Sequence, residues 1–301
     1  MRVLIIGCGY VGIPLGVELV RQGHQVWGLR RENGGLLQGA GIIPLIANVT
    51  KPDSFPAPPA PFDWVVNTVA SGKGGVAEYN QTYLQGTRHL LSWLEPQGIK
   101  KYVHASSTSV YGQEDGSHVK ESSPTEPSSE TSKVLVATER VLMEAFAQRK
   151  FPAVILRLAG IYGPGRGHLF HQYLKGEARL IGKGERLINM IHLEDVVGAF
   201  IVALKNGRAG EVYNAVDDEP VAQLHFFRWL SETLGKWMPP AAAEGEEVAR
   251  KRGLTHKKVS NRKLKMELGY QFKHPTFRQG YTAEIQRLEQ AGELNIQPEP
   301  R

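Results

Sequence analysis

Cysteine is nearly absent from this chain. One residue in 301, Cys8, carries a thiol, so no internal disulfide can form. Long apolar runs are absent too. None approaches the roughly 18 residues that span a bilayer, which excludes a helical membrane span. The one stretch open to misreading as a signal peptide is the N-terminus. Its apolar run breaks at Gly7 and only Arg2 precedes it as a base, so cytoplasm is the expected compartment. No internal repeat and no long linker divides the chain. Acidic residues fall short of basic ones, 30 against 36, for a net charge of +6. The excess is concentrated in HKKVSNRKLK, His256 to Lys265, with Arg250, Lys251 and Arg252 just before it. Such a cluster fits a solvated helical face, an anionic substrate or nucleic acid. Nucleic-acid binding outright is disfavoured, because no aromatic-interleaved basic motif or recognition helix is evident.

What is present begins at Arg2. Val3 to Ile6 is a continuous apolar run, as a strand buried on both faces shows. Gly7-Cys8-Gly9-Tyr10-Val11-Gly12 follows at once, then a helical stretch to Arg21, a stop at Gly23 and a second strand, Gln25 to Leu29. Strand, glycine turn, helix and strand open a dinucleotide-binding sheet. Gly7 permits the tight turn, Gly9 lets backbone approach a pyrophosphate, and Gly12 lets the helix lie close on the sheet. Tyr10 and Val11 belong to the same cradle. A helix N-terminus offers its free N–H groups to phosphate. Cys8 sits there as a small tolerated residue.

The second strand ends in Leu29-Arg30-Arg31. An NAD site places an acid there for the ribose 2′-hydroxyl. Two guanidiniums favour a 2′-phosphate instead. NADP(H) is therefore expected over NAD(H), with Glu32 complicating the count.

Further apolar runs alternate with helical stretches. Strands are expected at Ile42–Ile46, Trp64–Val69, Lys101–Ala105, Ala153–Leu158 and Glu211–Val216. Helices are expected at Glu78–Leu94, Ser128–Arg149 and Val196–Lys205, the last with Asp195 as its cap. This alternation predicts a doubly wound parallel α/β sheet. The serine cluster Ser106-Ser107-Thr108-Ser109 ends the Lys101 strand, where such folds place ligands.

GCGYVG, GHQVWGLRR, Gly86-Thr87, SSTSVYG, Lys133, Arg157 with IYGPG, MIHLEDV, EVYNAV and NRKLKMELGY together resemble the extended short-chain dehydrogenase/reductases of the NAD-dependent epimerase/dehydratase family. The resemblance implies a Rossmann-type domain over 1–160, to which 189–217 return. It implies a smaller, interleaved C-terminal substrate domain from 161–188 and 218–301. It implies a homodimer through Glu78–Leu94 and Ser128–Arg149. It places Asn48 near the adenine and Val69 and Ala70 along the coenzyme. The family's chemistry uses a hydroxyl residue, a Tyr and a Lys four residues after the Tyr. Ser107 and Lys133 match two of these positions, and Lys133 also holds the coenzyme ribose. The Tyr position is Ser129.

A serine has no titration near neutrality and is a poor substitute for a phenol. The chain thus resembles an atypical branch with an incomplete catalytic set. Tyr111, His104, Glu114, His168, His171 and His192 are the candidate replacements for the missing acid–base group. Substrate contacts are expected from Ser107, Thr108, Ser129 and Arg166, with Lys183 and Arg186 also able to meet anionic groups. His192 with Glu194 and Asp195 reads as a strand-to-helix junction, and no metal is assigned. Two functions follow. One is an NADP(H)-dependent oxidoreductase or epimerase/dehydratase acting on a polar, nucleotide-sugar-like hydroxyl or carbonyl compound. The other is a catalytically silent NADP(H)-binding regulatory or scaffold protein.

Overall fold

A computed structural model describes residues 1–32, 34–58, 61–72, 74–243 and 255–294. Seven strands form its main sheet: β1 (Arg2–Ile6), β2 (Gln25–Arg30), β3 (Ile43–Ile46), β4 (Trp64–Asn67), β5 (Lys101–Ser107), β6 (Ala153–Leu158) and β7 (Val212–Ala215). Their order is β7-β6-β5-β4-β1-β2-β3, and every pairing is parallel. The reversal of order at β1 and β4 opens a crevice at the carboxyl ends of the strands, where open α/β sheets bind ligands.

The continuous apolar runs arise because both faces are covered. Val3 and Ile5 enter one core with Leu15 and Leu19 of helix α1 (Gly12–Arg21). Leu4 and Ile6 enter the opposite core. That second core takes Leu90, Leu91 and Leu94 from helix α2 (76–94), and Leu142 and Ala145 from helix α3 (Glu130–Arg149). Side chains two apart share a face, so a strand covered on both sides is largely apolar on both, with His104, Ser106 and Arg157 as buried polar exceptions. Helix α2 carries one π turn, Asn80–Gln85, between α-helical ends. The outward faces of α2 and α3 are polar, with Gln81, Arg88, Lys133, Arg140 and Glu144 exposed.

A third core gathers Phe170, Phe226, Phe227, Phe277 and Tyr281. It lies among helices α4 (His168–Leu174), α6 (Gln223–Leu234) and α8 (Phe277–Gln290). Between α4 and α6 the chain returns to the main sheet through helix α5 (Leu193–Asn206) and β7. Residues 160–162 and 190–192 pair in parallel on the way.

The local departures from expectation have capping causes. Helix α5 begins at Leu193, earlier than expected, because the His192 ring accepts the Glu194 N–H. Asp195 is therefore inside the helix, where it accepts from the Tyr270 hydroxyl and the backbone N–H groups of Lys273 and His274. The basic cluster is not one helical face. Only helix α7 (Arg262–Leu268) is helical in it; Lys258 is in a short strand, and Lys263 and Lys265 pair with Glu211 and Asp218. Lys257 is 2 % exposed and donates to the Tyr111 carbonyl and the Thr255 hydroxyl. Burial, then the Arg186 charge, push its pKa down to about 8. Arg250, Lys251 and Arg252 lie outside the described residues.

Candidate active site

The glycine turn is shaped from both sides. Gly7 and Cys8 donate their N–H groups to the Leu29 carbonyl at 2.9 and 3.1 Å, folding the turn onto β2. The Thr68 hydroxyl donates to the Gly7 carbonyl from the β4 side. Gly7 has φ +77°, and a Cβ there would meet the Val69 backbone at 2.6 Å. At Gly12 a Cβ would meet Ile5 Cγ2 at 3.0 Å, so glycine lets α1 lie close on β1. At Gly9 the nearest atom is the Gly7 carbonyl oxygen, 3.8 Å away. Gly9 leaves space on the side of a cleft of about 550 Å³.

That cleft runs along the carboxyl edge of the sheet. Gly7, Gly9, Tyr10 and Val11 line it at β1, and Arg30, Arg31 and Asn48 at its far end. Val69 and Ala70 line it after β4, Ser107 after β5, and Arg166 from beyond β6. Gly12 lies beneath it in the helix packing. Asn48 is held by an Asx turn, its Oδ1 accepting from the Thr50 N–H and hydroxyl at 3.0 Å. The Arg30 Nη1 is buried and has no hydrogen-bond partner. The open space at Gly9 and this unpartnered donor on a cleft-lining residue fit a phosphorylated dinucleotide. Gly9, Tyr10 and Val11 would hold its diphosphate, and Arg30 and Arg31 its adenosine end. Cys8 is fully buried. Burial raises its thiol to about 12 despite the Arg30 charge, so it is no nucleophile at neutral pH.

The acid–base candidates are placed differently from expectation. Lys133 is in the first turn of α3, its Nζ on the Glu130 carboxylate at 2.6 Å, and it is absent from the cleft wall. The reason is the cap: the Ser129 hydroxyl accepts the Ser132 N–H at 3.3 Å, which starts the helix at Glu130 and turns Lys133 to solvent. Ser129 is thus a capping residue outside the cleft. Leu135 lines the cleft instead, with Thr131 one turn before it on the same side of the helix. Neither was singled out from the sequence. The serine cap was the available signal, because it sets which side of the helix each residue faces.

Tyr111 is buried below the site. Its hydroxyl donates to Asn214 Oδ1 and accepts from Arg157 Nη1, both at 2.8 Å. Burial raises its pKa, with the Arg157 charge opposing. It is a structural phenol, outside the cleft. Thr108 is buried next to Ser107 and also outside the cleft wall. Arg157 closes the network on Glu139, donating from Nη2 at 2.7 Å. The Ser106 hydroxyl donates to the same carboxylate. Helix α3, β5, β6 and β7 are thereby tied together under Ser107. Glu78 and Tyr83 also line the cleft and were missed. Glu78 accepts from the Gly72 and Gly74 N–H groups, and Tyr83 from the Ser71 N–H.

Among the described residues, His192, Glu194 and His274 bring potential ligand atoms within 4.8 Å of one another. The His192 Nδ1 serves as the α5 cap, and Lys273 lies 3.4 Å from Glu194. His104 is 2 % exposed on β5. Burial lowers its pKa from 6.5 to about 4. Between those values the unfolded chain binds more protons, so stability should rise with pH from about 4 to about 6.5. The rise from this group should total roughly 3 kcal/mol. Urea titrations at pH 4.5 and 7 are expected to show it, and His104→Phe to flatten it. An identical slope in the variant would contradict this assignment.

The fold and the cleft define a Rossmann-type enzyme with a nicotinamide dinucleotide site. The family model described as "NAD dependent epimerase/dehydratase family" matches residues 3–215, and the chain belongs to that family. It is 29% identical over 286 residues to Protein YeeZ of Escherichia coli K12, covering 91% of this chain and 96% of that one. It is 28% identical over 249 residues to the Escherichia coli O157:H7 N-acetyl-alpha-D-glucosaminyl-diphospho-ditrans,octacis-undecaprenol 4-epimerase, covering 79% and 74%. A functionally unknown conserved protein of Silicibacter pomeroyi aligns with TM-score 0.79 and 28% identity over 95% and 98% of the two chains. The dTDP-glucose 4,6-dehydratase DesIV of Streptomyces venezuelae, solved with NAD and TYD bound, aligns at TM-score 0.82 and 21% identity over 96% and 97%. This last likeness is one of fold. No helix of the described residues is long and apolar enough to cross a membrane.

Proposed function

We propose that this chain is an NADP(H)-dependent enzyme acting at a hydroxyl or carbonyl carbon of a polar, nucleotide-sugar-like substrate. The carrying observation is the cleft itself. It joins the glycine turn, the buried unpartnered Arg30 nitrogen and Ser107 along one strand edge. The nicotinamide, when bound, supplies a hydride donor or acceptor. Ser107 orients the substrate oxygen. Arg30 and Arg31 discriminate for the 2′-phosphate. Relatives whose names specify nucleotide-sugar or sugar-lipid chemistry support the substrate class.

Arg30→Ala is expected to weaken NADP(H) binding about 10- to 100-fold, as loss of a charge-assisted hydrogen bond does. NAD(H) binding should change less than twofold. Calorimetry with both coenzymes checks it; equal losses for the two would refute a 2′-phosphate role.

One observation favours a second reading, that the chain binds the coenzyme without turning it over. Leu135 occupies the cleft wall while Lys133 is paired with Glu130 outside it. The two readings separate in a nicotinamide absorbance assay across a nucleotide-sugar panel. Turnover by the natural chain supports the enzyme. No turnover, with activity appearing in Thr131→Tyr/Leu135→Lys, supports the silent binder.

A further inference from the structure

His192, Glu194 and His274 stand outside the cleft wall, yet they bring one ligand atom each within 4.8 Å of one another. His192 and Glu194 open helix α5. His274 comes from the stretch just before α8, so it joins them only through the fold. Spacing within His192–Asp195 therefore shows two of the three groups and no complete metal set.

The backbone holds the third group in place. Asp195, fully buried in the first turn of α5, accepts the Lys273 N–H at 2.7 Å and the His274 N–H at 3.0 Å. The two imidazole rings then lie 3.9 Å apart, centre to centre. The Tyr162 ring packs against His192 at 5.3 Å and 71°. A Cβ at Gly163 would lie 3.2 Å from His192 Nε2, so glycine keeps a side chain off that nitrogen. The His274 Nε2 is buried and has no hydrogen-bond partner, a state that costs free energy. Glu194 Oε2 lies 3.6 Å from it. In a tetrahedral zinc site the ligand atoms are each about 2.1 Å from the ion and thus roughly 3.3 Å from one another. The His274–Glu194 edge is close to that length. The Glu194 side chain is half-exposed, which leaves a solvent side for water as the fourth ligand.

We propose that His192, Glu194 and His274 bind one Zn²⁺ ion, which staples the segment before α8 to the start of α5. Two imidazoles and one carboxylate suit zinc, whereas magnesium and calcium take oxygen ligands. Two contacts oppose the ion. Lys273 Nζ lies 3.4 Å from Glu194 Oε2, but the pair is exposed and such pairs are weak. The His192 Nδ1 accepts the Glu194 N–H at 3.3 Å. A metal on Nδ1 takes that lone pair, and a metal on Nε2 leaves the ring proton on Nδ1. Either way a long hydrogen bond is exchanged for a coordination bond, and the Glu194 amide changes its surroundings. The zinc site stands or falls independently of what fills the cleft.

The untagged full chain, freed of metal by dialysis against a chelator, is titrated with zinc chloride by calorimetry and in melting curves. One ion per chain is expected, with a melting temperature that rises with zinc concentration. Magnesium chloride should do neither. Glu194→Gln, at an exposed side chain, should keep the metal-free melting temperature and weaken zinc at least 10-fold; His274→Ala should weaken it about 100-fold. The ¹⁵N-labelled natural chain should show the Glu194 amide resonance shifting on zinc addition, and Glu194→Gln should need correspondingly more zinc for the same shift at residue 194. Absence of zinc binding at about 100 μM would overturn the site. Zinc affinity kept within twofold in Glu194→Gln would overturn it too, whatever His274→Ala does to folding, because the ion would then sit elsewhere.

Discussion

Glu139→Ala is expected to cost this protein 3–5 kcal/mol of stability, about the effect of breaking a buried ion pair from one side. Glu139 and Arg157 are each 5 % exposed. The carboxylate accepts from Arg157 Nε at 3.1 and 3.2 Å and from Nη2 at 2.7 Å, and also from the Ser106 hydroxyl. Removing it leaves a guanidinium in the core with no counter-charge. Arginine cannot escape by losing its proton. The damage spreads toward the site, since the Arg157 Nη1 also holds Tyr111 and Ser106 precedes Ser107. Urea denaturation reads the loss. Glu139→Gln, which keeps an acceptor, should lose less. The apolar pair Glu139→Leu/Arg157→Met should recover part of the difference, because no charge is then stranded. A loss below about 1 kcal/mol in Glu139→Ala would mean that the pair is solvated and the network is not a buried one.

The second large effect falls on binding alone. Gly9→Val should leave stability nearly untouched while weakening the coenzyme by on the order of a hundredfold. A Cβ at Gly9 meets only one atom within 4 Å, a carbonyl oxygen at 3.8 Å. The backbone there has room for a Cβ, and the larger valine would fill space that a diphosphate over this turn needs. Gly7→Ala is the contrast. Its φ of +77° and the 2.6 Å approach to the Val69 backbone predict lost stability as well as lost binding. Melting curves and calorimetry on the two variants separate the cases. An unchanged dissociation constant in Gly9→Val would show that the diphosphate does not lie over this turn.

The sheet was readable because its signal is local. The central strands are largely apolar because both faces are covered, and β1 and β5 end at a glycine and at a serine cluster. The glycine turn was readable for a similar reason. Its three glycines recur at fixed offsets between the end of β1 and the start of α1, within one βαβ unit. The Ser107 position also followed from strand order, because ligand sites in such sheets sit at the strand ends.

The helix α3 positions were not readable in this way. Lys133 and Leu135 are two residues apart, roughly 200° around a helix of 3.6 residues per turn. A motif match to Lys133 ignores that angle. The Ser129 cap decides it by fixing where the helix begins, and packing then turns Leu135 inward and Lys133 toward Glu130. Tyr111 shows the same limit. Its hydroxyl partner Asn214 is 103 residues away, brought alongside only when β7 joins β6.

The order of residues alone determined the α/β class, the parallel sheet, the dinucleotide turn and the paired guanidiniums at the end of β2. Those features depend on neighbours within a few turns or on alternation along a strand. Tertiary structure decided which candidate groups share the cleft. It excluded Lys133, Tyr111 and Ser129, admitted Leu135 and Tyr83, and brought His274 to His192 and Glu194. Side-chain direction depends on packing between elements distant in sequence, and no spacing rule within one segment contains that information.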